Sequence, residues 1–531
     1  MLRRVGCVVV LVGGSACAPE PEELPPLGEA LVVVDTDAPV ARLASRLRID
    51  VYAEDTTWID SRDLPMPRRD DWPGSFSVFI EEAAVERVAI VRLRAYPDGK
   101  ERDYLGERFM ARPESGDPFT IIAPPPGDGT PRLVQGGRDV TPLSEPRPAL
   151  AIDRLLSIRL EHGNRGSVRV VLRAACAGTM ADLTARTSCI DAENQRVALA
   201  EAELDADMSI PHDSTGEGAL SAARPCTQAP RNDAGSPWHD GEVCVPSGLF
   251  LLGSDDVAVS TAADEPMLDP AKVTAGLNSI PERVAVMPPL LVDVHEVTVA
   301  RWRRAIDIDG FVSPDSTPII NQQPLPMSIT EVEPPSEMCT FSSMPLGRED
   351  YPLTCVSRGA ARAFCQFYGG DLPSEAEWEH IATAAGRDTE TPYPWGSGEP
   401  SCDTAVFGRV DQVTMVTVGS DECADRGFGP RPVAEEIDDR SLSGVVGLAG
   451  NVSELLVDNF LSFASICWAT QPLSSPRCLT EPRLFDSARG AGWTDPSKSL
   501  RATLRIGKPN MLQGSPVVTP TTGFRCVRRG E

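Results

Sequence analysis

Aromatic residues make up only 5% of the 531 residues, and histidine occurs five times, whereas proline occurs 49 times. Few large side chains and abundant proline predict loop-rich domains with modest hydrophobic cores. Lys and Arg (50) are outnumbered by Asp and Glu (77), which gives a formal net charge of −27. This balance excludes nucleic acid and other partners held by phosphate neutralisation. The chain is still 41% apolar, so we expect a folded protein of about two or three domains.

Several motifs are also missing. The chain contains neither G-x-S-x-G nor a P-loop, so the sequence gives no sign of an α/β-hydrolase nucleophile or a P-loop nucleotide site. No zinc-like spacing occurs among the five histidines, which are His162, His212, His239, His295 and His380. After the first residues, no run approaches the ~18 apolar residues that a membrane-spanning helix needs.

The first 16 residues resemble an export signal. Two arginines precede an apolar stretch at residues 5–12, and Gly14, Ser15 and Ala16 are the small residues that precede a cleavage site. Small residues running into Cys17 resemble the bacterial lipobox, which implies lipidation of Cys17 and a lipid anchor in the cell envelope, at the outer membrane. The alternative is ordinary cleavage after Ala16, which would give a secreted or periplasmic protein.

Export implies an oxidising compartment, where cysteines form disulfides. Of the 14 cysteines, Cys7 lies in the predicted leader and Cys17 at its end, which leaves an even number of twelve and predicts six disulfides. Proximity in the sequence suggests five pairs: Cys176 with Cys189, Cys226 with Cys244, Cys339 with Cys355, Cys402 with Cys423, and Cys467 with Cys478.

The composition along the chain predicts two domains. Residues 17–30 are rich in Pro and Glu and read as a tether. Residues 31–199 contain short segments of alternating polarity, such as Leu47, Ile49 and Val51, which predict antiparallel strands with one buried face and a sandwich-like all-β domain. We interpret this domain as a structural or interaction module. Residues 200–243 read as a linker, and the second domain comprises residues 244–531.

The second domain contains three helix starts. Thr298 and Ser357 are suitable N-caps, each preceding apolar residues at helical spacing. Ser374 and Glu377 form a capping box, followed by a buried stripe that begins at Trp378. These signals predict at least three helices in the second domain.

Nine motifs then occur in order: residues 245–253, Glu296-Val-Thr, Cys355-Val-Ser, Ala363-Phe-Cys, Gly370-Asp-Leu-Pro-Ser-Glu-Ala-Glu-Trp-Glu, Tyr393-Pro-Trp-Gly, Gly450-Asn-Val-Ser-Glu, Arg489-Gly-Ala-Gly-Trp and Gly523-Phe-Arg-Cys. Together they resemble the formylglycine-generating enzyme family, also called the sulfatase-modifying factor domain, over about residues 245–528. The resemblance implies a loop-rich α+β fold related to C-type lectins. It also implies a sixth disulfide, between Cys365 and Cys526.

The family's best-known activity oxidises a cysteine of a sulfatase to formylglycine, using two nearby cysteines that hold copper. The resemblance places Asp495 and Leu500 near these two positions, and residues 490–505 contain no cysteine. A carboxylate and a leucine cannot replace soft thiolates on Cu(I). We therefore expect neither copper nor formylglycine generation and assign no catalytic residue. The alternative is an oxidoreductase, either of the formylglycine-generating type or with another divergent site, that acts on a protein or a small molecule.

Two binding sites follow from the same resemblance. The calcium position of the family falls on the carbonyls of Leu448, Gly450 and Val452 and the carboxylate of Glu454, although Gly447 stands where the family offers an Asn or Asp. The alternative for this stretch is a turn held by hydrogen bonds.

The cleft of the family is lined by the segment that here carries Trp493, Asp495, Ser497, Arg501 and Arg505. Stacking, charge and hydrogen-bonding groups without a redox centre suggest a binding module for a protein, peptide or glycan. The alternative is that Trp493 and Arg505 are determinants of the fold.

Overall fold

The structure is a computed structural model that describes residues 28–79, 86–103, 132–191, 193–210, 215–216, 218–232, 238–254, 279–328, 335–410, 419–435, 437–481, 484–512 and 515–529. The predicted leader, Cys17, nearly all of the predicted tether and His212 lie outside these residues. None of the helices formed by the described residues has the length and apolarity needed to cross a bilayer.

The amino-terminal part is built from strands. They are β1 (Glu29–Thr36), β2 (Arg46–Ala53), β3 (Trp58–Pro65), β4 (Gly74–Phe79), β5 (Arg87–Tyr96), β6 (Glu101–Asp103), β7 (Val134–Gln135), β8 (Arg138–Asp139), β9 (Ser144–Pro146), β10 (Ile152–Leu160), β11 (Arg165–Leu172), β12 (Thr187–Cys189) and β13 (Arg196–Ala198). A four-stranded sheet has the order β10-β5-β2-β3 and a three-stranded sheet the order β11-β1-β4. Both sheets contribute to one apolar cluster, an arrangement compatible with a sandwich.

Two sequence expectations for these strands are corrected. The prediction of antiparallel strands is wrong for β1 and β11, which pair in parallel from Glu29 opposite Arg165 onward. The alternating pattern also predicted that the polar face of β2 and β5 is exposed to solvent. Arg48, Asp50 and Arg94 on this face are buried instead. Asp50 lies 2.7 Å from the guanidinium of Arg94 and 3.0 Å from that of Arg48. Because these charges are paired with one another, the polar residues of the alternating pattern can be buried.

The predicted linker is partly packed onto these strands. The backbone N–H of Ala202 donates to the carbonyl of Ser157 at 2.8 Å, and that of Ser167 donates to the carbonyl of Asp205 at 2.7 Å. Leu204 packs against the amino-terminal apolar cluster. The described part of residues 200–243 therefore begins as an extension of the β-domain rather than as a free connection.

The carboxy-terminal part combines short strands with four helices. The strands are β14 (Glu242–Val245), β15 (Gly248–Leu252), β16 (Arg283–Met287), β17 (Leu290–Asp293), β18 (Ser453–Asn459), β19 (Phe485–Arg489), β20 (Arg505–Pro509), β21 (Met511–Leu512), β22 (Ser515–Pro516), β23 (Thr522–Gly523) and β24 (Val527–Arg529); the helices are α1 (Val299–Arg304), α2 (Arg358–Phe367), α3 (Glu375–Glu379) and α4 (Ile466–Ala469). The sheet β20-β19-β18-β23 places the ends of β18 and β19 beside α3.

All three predicted helix starts are confirmed. The hydroxyl of Thr298 accepts from the N–H of Arg301 at 3.1 Å, and that of Ser357 accepts from the N–H of Ala360 at 3.0 Å. The N–H of Glu377 donates to the hydroxyl of Ser374 at 3.2 Å, while the carboxylate of Glu377 accepts from the N–H of Ser374 at 2.8 Å. Each cap satisfies backbone donors that the first helical turn leaves without a partner.

Disulfides link all twelve cysteines of the described residues. The pairs are Cys176–Cys189, Cys226–Cys244, Cys339–Cys355, Cys365–Cys526, Cys402–Cys423 and Cys467–Cys478. They coincide with the five pairs suggested by sequence proximity and the one implied by the family resemblance. Only Cys365–Cys526 connects distant parts of the chain, across a separation of 161 residues.

The amino-terminal core continues into the carboxy-terminal part. Leu249, Leu251, Val284 and Val286, on β15 and β16, belong to the same apolar cluster as the amino-terminal strands. The guanidinium of Arg42 donates to the carbonyls of Leu249 and Arg387. The predicted boundary at residue 244 is thus crossed by both apolar and polar contacts.

Candidate functional site

The loop between β19 and β20 carries Asp495 and Leu500, which the family resemblance places near the two copper-binding cysteine positions. One carboxylate oxygen of Asp495 accepts from the backbone N–H of Gly492 at 2.9 Å, so this side chain braces its own loop. Leu500 is fully buried in an apolar cluster with Tyr393 and Phe407. A hard carboxylate and an alkyl side chain do not fit Cu(I), and every cysteine of the described residues is in a disulfide.

One predicted calcium ligand, Glu454, belongs to a buried ion pair with Arg525. The carboxylate of Glu454 accepts from Nε of Arg525 at 2.8 and 2.9 Å and from Nε1 of Trp378 at 2.8 Å. The backbone N–H of Gly450 donates to Asp439 at 3.0 Å. Since Arg525 already neutralises the one predicted carboxylate ligand, this arrangement does not fit Ca²⁺, which requires six to eight oxygen ligands. Hydrogen bonds hold the turn instead.

A second buried carboxyl explains the glycine at position 447. A Cβ on Gly447 would lie 2.9 Å from Oε2 of Glu296, and Gly447 has a φ of +69°. The other oxygen of Glu296 accepts from the side-chain amide of Asn451 at 3.1 Å. The carboxyl of Glu296 therefore occupies the space that a side chain at position 447 would need.

Burial perturbs the carboxyls around this turn. It raises the pKa of Glu296 to about 8, an effect that Arg525 partly offsets and Glu454 reinforces. Burial also raises the pKa of Asp439 to about 7, although backbone N–H groups of Gly450 and Ala449 donate to it. Both groups hold protons in the folded protein at pH values where an exposed carboxyl has lost them.

A cavity of about 320 Å³ lies beside the loop between β19 and β20, and Trp493 of this loop forms part of its wall. Its walls are mostly apolar or aromatic: Leu325, Pro326, Met327, Met338, Tyr351, Gly427, Phe428, Gly429, Pro430 and Trp493. The rings of Phe428 and Trp493 meet edge to face, with centroids 4.9 Å apart. Arg409 is the only charged side chain among the described residues that line it. Concave apolar walls with few polar groups are typical of small-ligand sites.

The family assignment follows from a direct comparison. The family model described as sulfatase-modifying factor enzyme 1-like domain matches residues 228–530, more than half of the chain. The chain belongs to this family. The match confirms the resemblance found in the sequence, and the sulfatase-modifying-factor domain begins ahead of the predicted boundary at residue 244.

Two curated relatives are enzymes by name. Hercynine oxygenase of Mycolicibacterium smegmatis is 28% identical over 183 residues, which cover 33% of this chain and 39% of the relative. Formylglycine-generating enzyme of Bos taurus is 25% identical over 177 residues, which cover 29% and 42%. The chain thus spans about two fifths of the length of these curated relatives.

Solved structures with a similar chain trace include PvdO from Pseudomonas aeruginosa, at 18% identity and a TM-score of 0.37, covering 54% of this chain and 94% of that one. Treponema denticola variable protein 1 is 14% identical with a TM-score of 0.34, covering 54% and 95%.

Within the sulfatase-modifying-factor domain, the five predicted cleft residues have different surroundings. Trp493 lines the cavity, whereas Asp495 braces its loop. The backbone N–H of Ser497 donates to Glu422 at 3.0 Å, and Arg501 is half-buried beside Tyr393. Arg505 does not reach the cavity. It is fully buried and bonded to Glu375.

Sequence reasoning missed Arg409, Tyr351 and Phe428. They lie on three separate loops, and no spacing in the sequence connects them. The only local signal is the run of glycines around Phe428, which marks a turn without indicating what it faces.

We expect the protein to lose stability as the pH rises from about 5 to about 8. The folded protein keeps Glu296 and Asp439 protonated, whereas the unfolded chain releases these protons at ordinary carboxyl pKa values, so each pH increase in this window favours unfolding. Chemical unfolding measured at several pH values should give a falling free energy, with a shallower slope in Glu296→Gln. The exposed Glu193→Gln should keep the unsubstituted slope. Equal slopes in all three proteins would contradict the assignment.

Proposed function

We propose that this chain is an exported, lipid-anchored protein of the bacterial cell envelope whose sulfatase-modifying-factor domain binds a protein, peptide or glycan and does not generate formylglycine. The observation that carries this proposal is the chemistry at the two family cysteine positions. Asp495 accepts a hydrogen bond within its own loop and Leu500 lies in the core, and neither can supply the thiolate that holds Cu(I) or acts as a redox group.

Two further features support a binding role outside the cytoplasm. Six disulfides in the described residues favour an oxidising compartment. The cavity beside Trp493 offers a concave apolar surface next to the loop that the family uses as its cleft. The lipid anchor at Cys17, and with it the outer membrane, rests on the sequence of the leader.

The second candidate function is oxidation by a divergent site. The names of the relatives, hercynine oxygenase and formylglycine-generating enzyme, favour it. Such a site would need redox chemistry that does not depend on a cysteine pair after Arg489.

Mass spectrometry separates the two candidates. The purified full chain is incubated with a Cys-x-Pro-x-Arg peptide, copper and oxygen, beside an active formylglycine-generating enzyme as the positive control. We expect the peptide mass to stay unchanged with this chain, because no thiolate pair is available to bind copper near the substrate. Conversion of the peptide cysteine to formylglycine would refute the binding proposal and establish the oxidoreductase.

A further inference from the structure

Arg409 is a buried cation with an incomplete set of partners. Its side chain donates from Nε to the carbonyl of Gly427 at 2.6 Å and from Nη2 to the carbonyl of Arg426 at 2.7 Å. Nη1 is buried and has no hydrogen-bond partner, and the residue as a whole is 7% exposed. Two carbonyls orient the guanidinium but leave its charge unbalanced, and an unbalanced buried charge is costly.

Most other buried arginines of this domain pair with a carboxylate; in the described residues Arg348, which donates to the carbonyls of Gln323 and Asn321, is the exception. Four of them meet a carboxylate, in the pairs Arg301–Asp293, Arg489–Glu379, Arg505–Glu375 and Arg525–Glu454. Within the described chain, no acidic side chain pairs with Arg409. The carboxylate of Glu435 interacts electrostatically with Arg409 without contacting it and forms an ion pair with Arg431 instead. Burial, reinforced by Arg431, lowers the pKa of Arg409 to about 10, in keeping with a cation whose counter-ion is missing.

The cavity supplies the place for that counter-ion. Arg409 lines it together with Trp493 and Phe428, whose rings form an apolar wall. Both N–H groups of Nη1 remain to be satisfied, and a single positive charge remains to be balanced, which matches a monoanion better than a phosphate with two negative charges. The apolar walls require that the rest of the ligand be apolar.

We propose that the cavity beside Trp493 binds a carboxylate with an apolar body, which pairs with the guanidinium of Arg409 while its body packs against Trp493 and Phe428. This inference rests on the proposed binding function and adds the chemical class of the ligand. Two sources share this chemistry: the carboxy-terminal residue of a peptide and a free aromatic or aliphatic acid.

Calorimetric titration of the full chain tests the proposal. The probes are N-acetylphenylalanine and its neutral amide, followed by a peptide that ends in phenylalanine, as the free acid and as the amide. We expect each acid to bind at least tenfold more tightly than its amide, because only the acid balances Arg409. A peptide that binds more tightly than N-acetylphenylalanine identifies a chain terminus as the ligand, whereas the reverse order identifies a free acid.

Substitutions then test whether Arg409 causes the preference for the acid over the amide. Arg409→Met keeps most of the side-chain volume and should abolish the preference for the acid. Arg426→Met is the matched control, because the Arg426 side chain pairs with Asp403 outside the cavity and only its carbonyl meets Arg409. Arg409→Lys provides a second variant that keeps the charge if the methionine variant does not fold.

Equal binding of acid and amide, binding of neither, or an undiminished preference in Arg409→Met overturns the proposal. The first two results come from the unsubstituted chain and so do not depend on how any variant folds. Oxidation of the peptide thiol in the mass-spectrometry experiment would refute the binding function itself, whereas an unchanged peptide together with no acid preference would refute only the carboxylate assignment.

Discussion

Replacing Cys365 and Cys526 together by alanine is expected to lower the free energy of unfolding by about 5 kcal/mol. The disulfide joins α2 to the strand end near the carboxyl terminus and closes a loop of 161 residues. Without it, the unfolded chain gains the conformational freedom of the whole loop. Both sulfurs lie in an apolar cluster that includes Trp302, Phe364 and Phe524, so the helix and the terminus would separate at the centre of the domain. Guanidinium unfolding under non-reducing conditions measures the effect.

A second disulfide provides the matched control. Cys467 and Cys478 are also buried, but they are only 11 residues apart. The same chain-entropy relation gives a loss of about 3 kcal/mol for the corresponding double alanine variant. Tryptophan fluorescence reports mainly on this part of the molecule, since six of the eight tryptophans follow residue 228. Equal destabilisation of the two variants would show that loop length does not govern the effect.

Replacing Glu375 by glutamine is expected to cost about 3–5 kcal/mol, because it leaves the buried Arg505 without its carboxylate and removes one of the two carboxylates that pair with Arg489. Oε1 of Glu375 accepts from Nη2 of Arg505 at 2.6 Å, and Oε2 accepts from Nε of Arg489 at 3.1 Å; all three residues are fully buried. Burial by itself would raise the pKa of Glu375, but Arg505 and Arg489 hold it below its ordinary value. Arg505 is further fixed over the ring of Phe463, at 3.9 Å from its centroid.

An exposed ion pair provides the control for this prediction. Glu201 pairs with Arg159 at 2.7 Å, and both side chains are more than 40% exposed. Water and salt screen such a pair, so Glu201→Gln should leave unfolding nearly unchanged. Chemical denaturation of the two variants in the same buffer compares them directly. A change in Glu375→Gln as small as that in Glu201→Gln would mean that solvent reaches Arg489 and Arg505.

The candidate site illustrates how far the sequence reaches. We predicted a role for Trp493 because it is the last residue of the family motif Arg489-Gly-Ala-Gly-Trp. The structure places it on the cavity wall. Arg409 could not be predicted, since its importance depends on which side chains are absent around its guanidinium. Arg505 was predicted to line a cleft, but its partner Glu375 lies 130 residues away and draws it into the core.

The sequence alone determined the family, the six cysteine pairs and the helix starts at Thr298, Ser357 and Ser374. These features depend on local or directly readable signals, such as a capping side chain three residues before its donor or a motif kept in order. Only the tertiary structure decided the parallel pairing of β1 with β11, the buried charges on the polar face of the amino-terminal sheet and the composition of the cavity. Each of these depends on contacts between distant segments, and the free energy of burying a charge is set by the neighbours that folding brings to it.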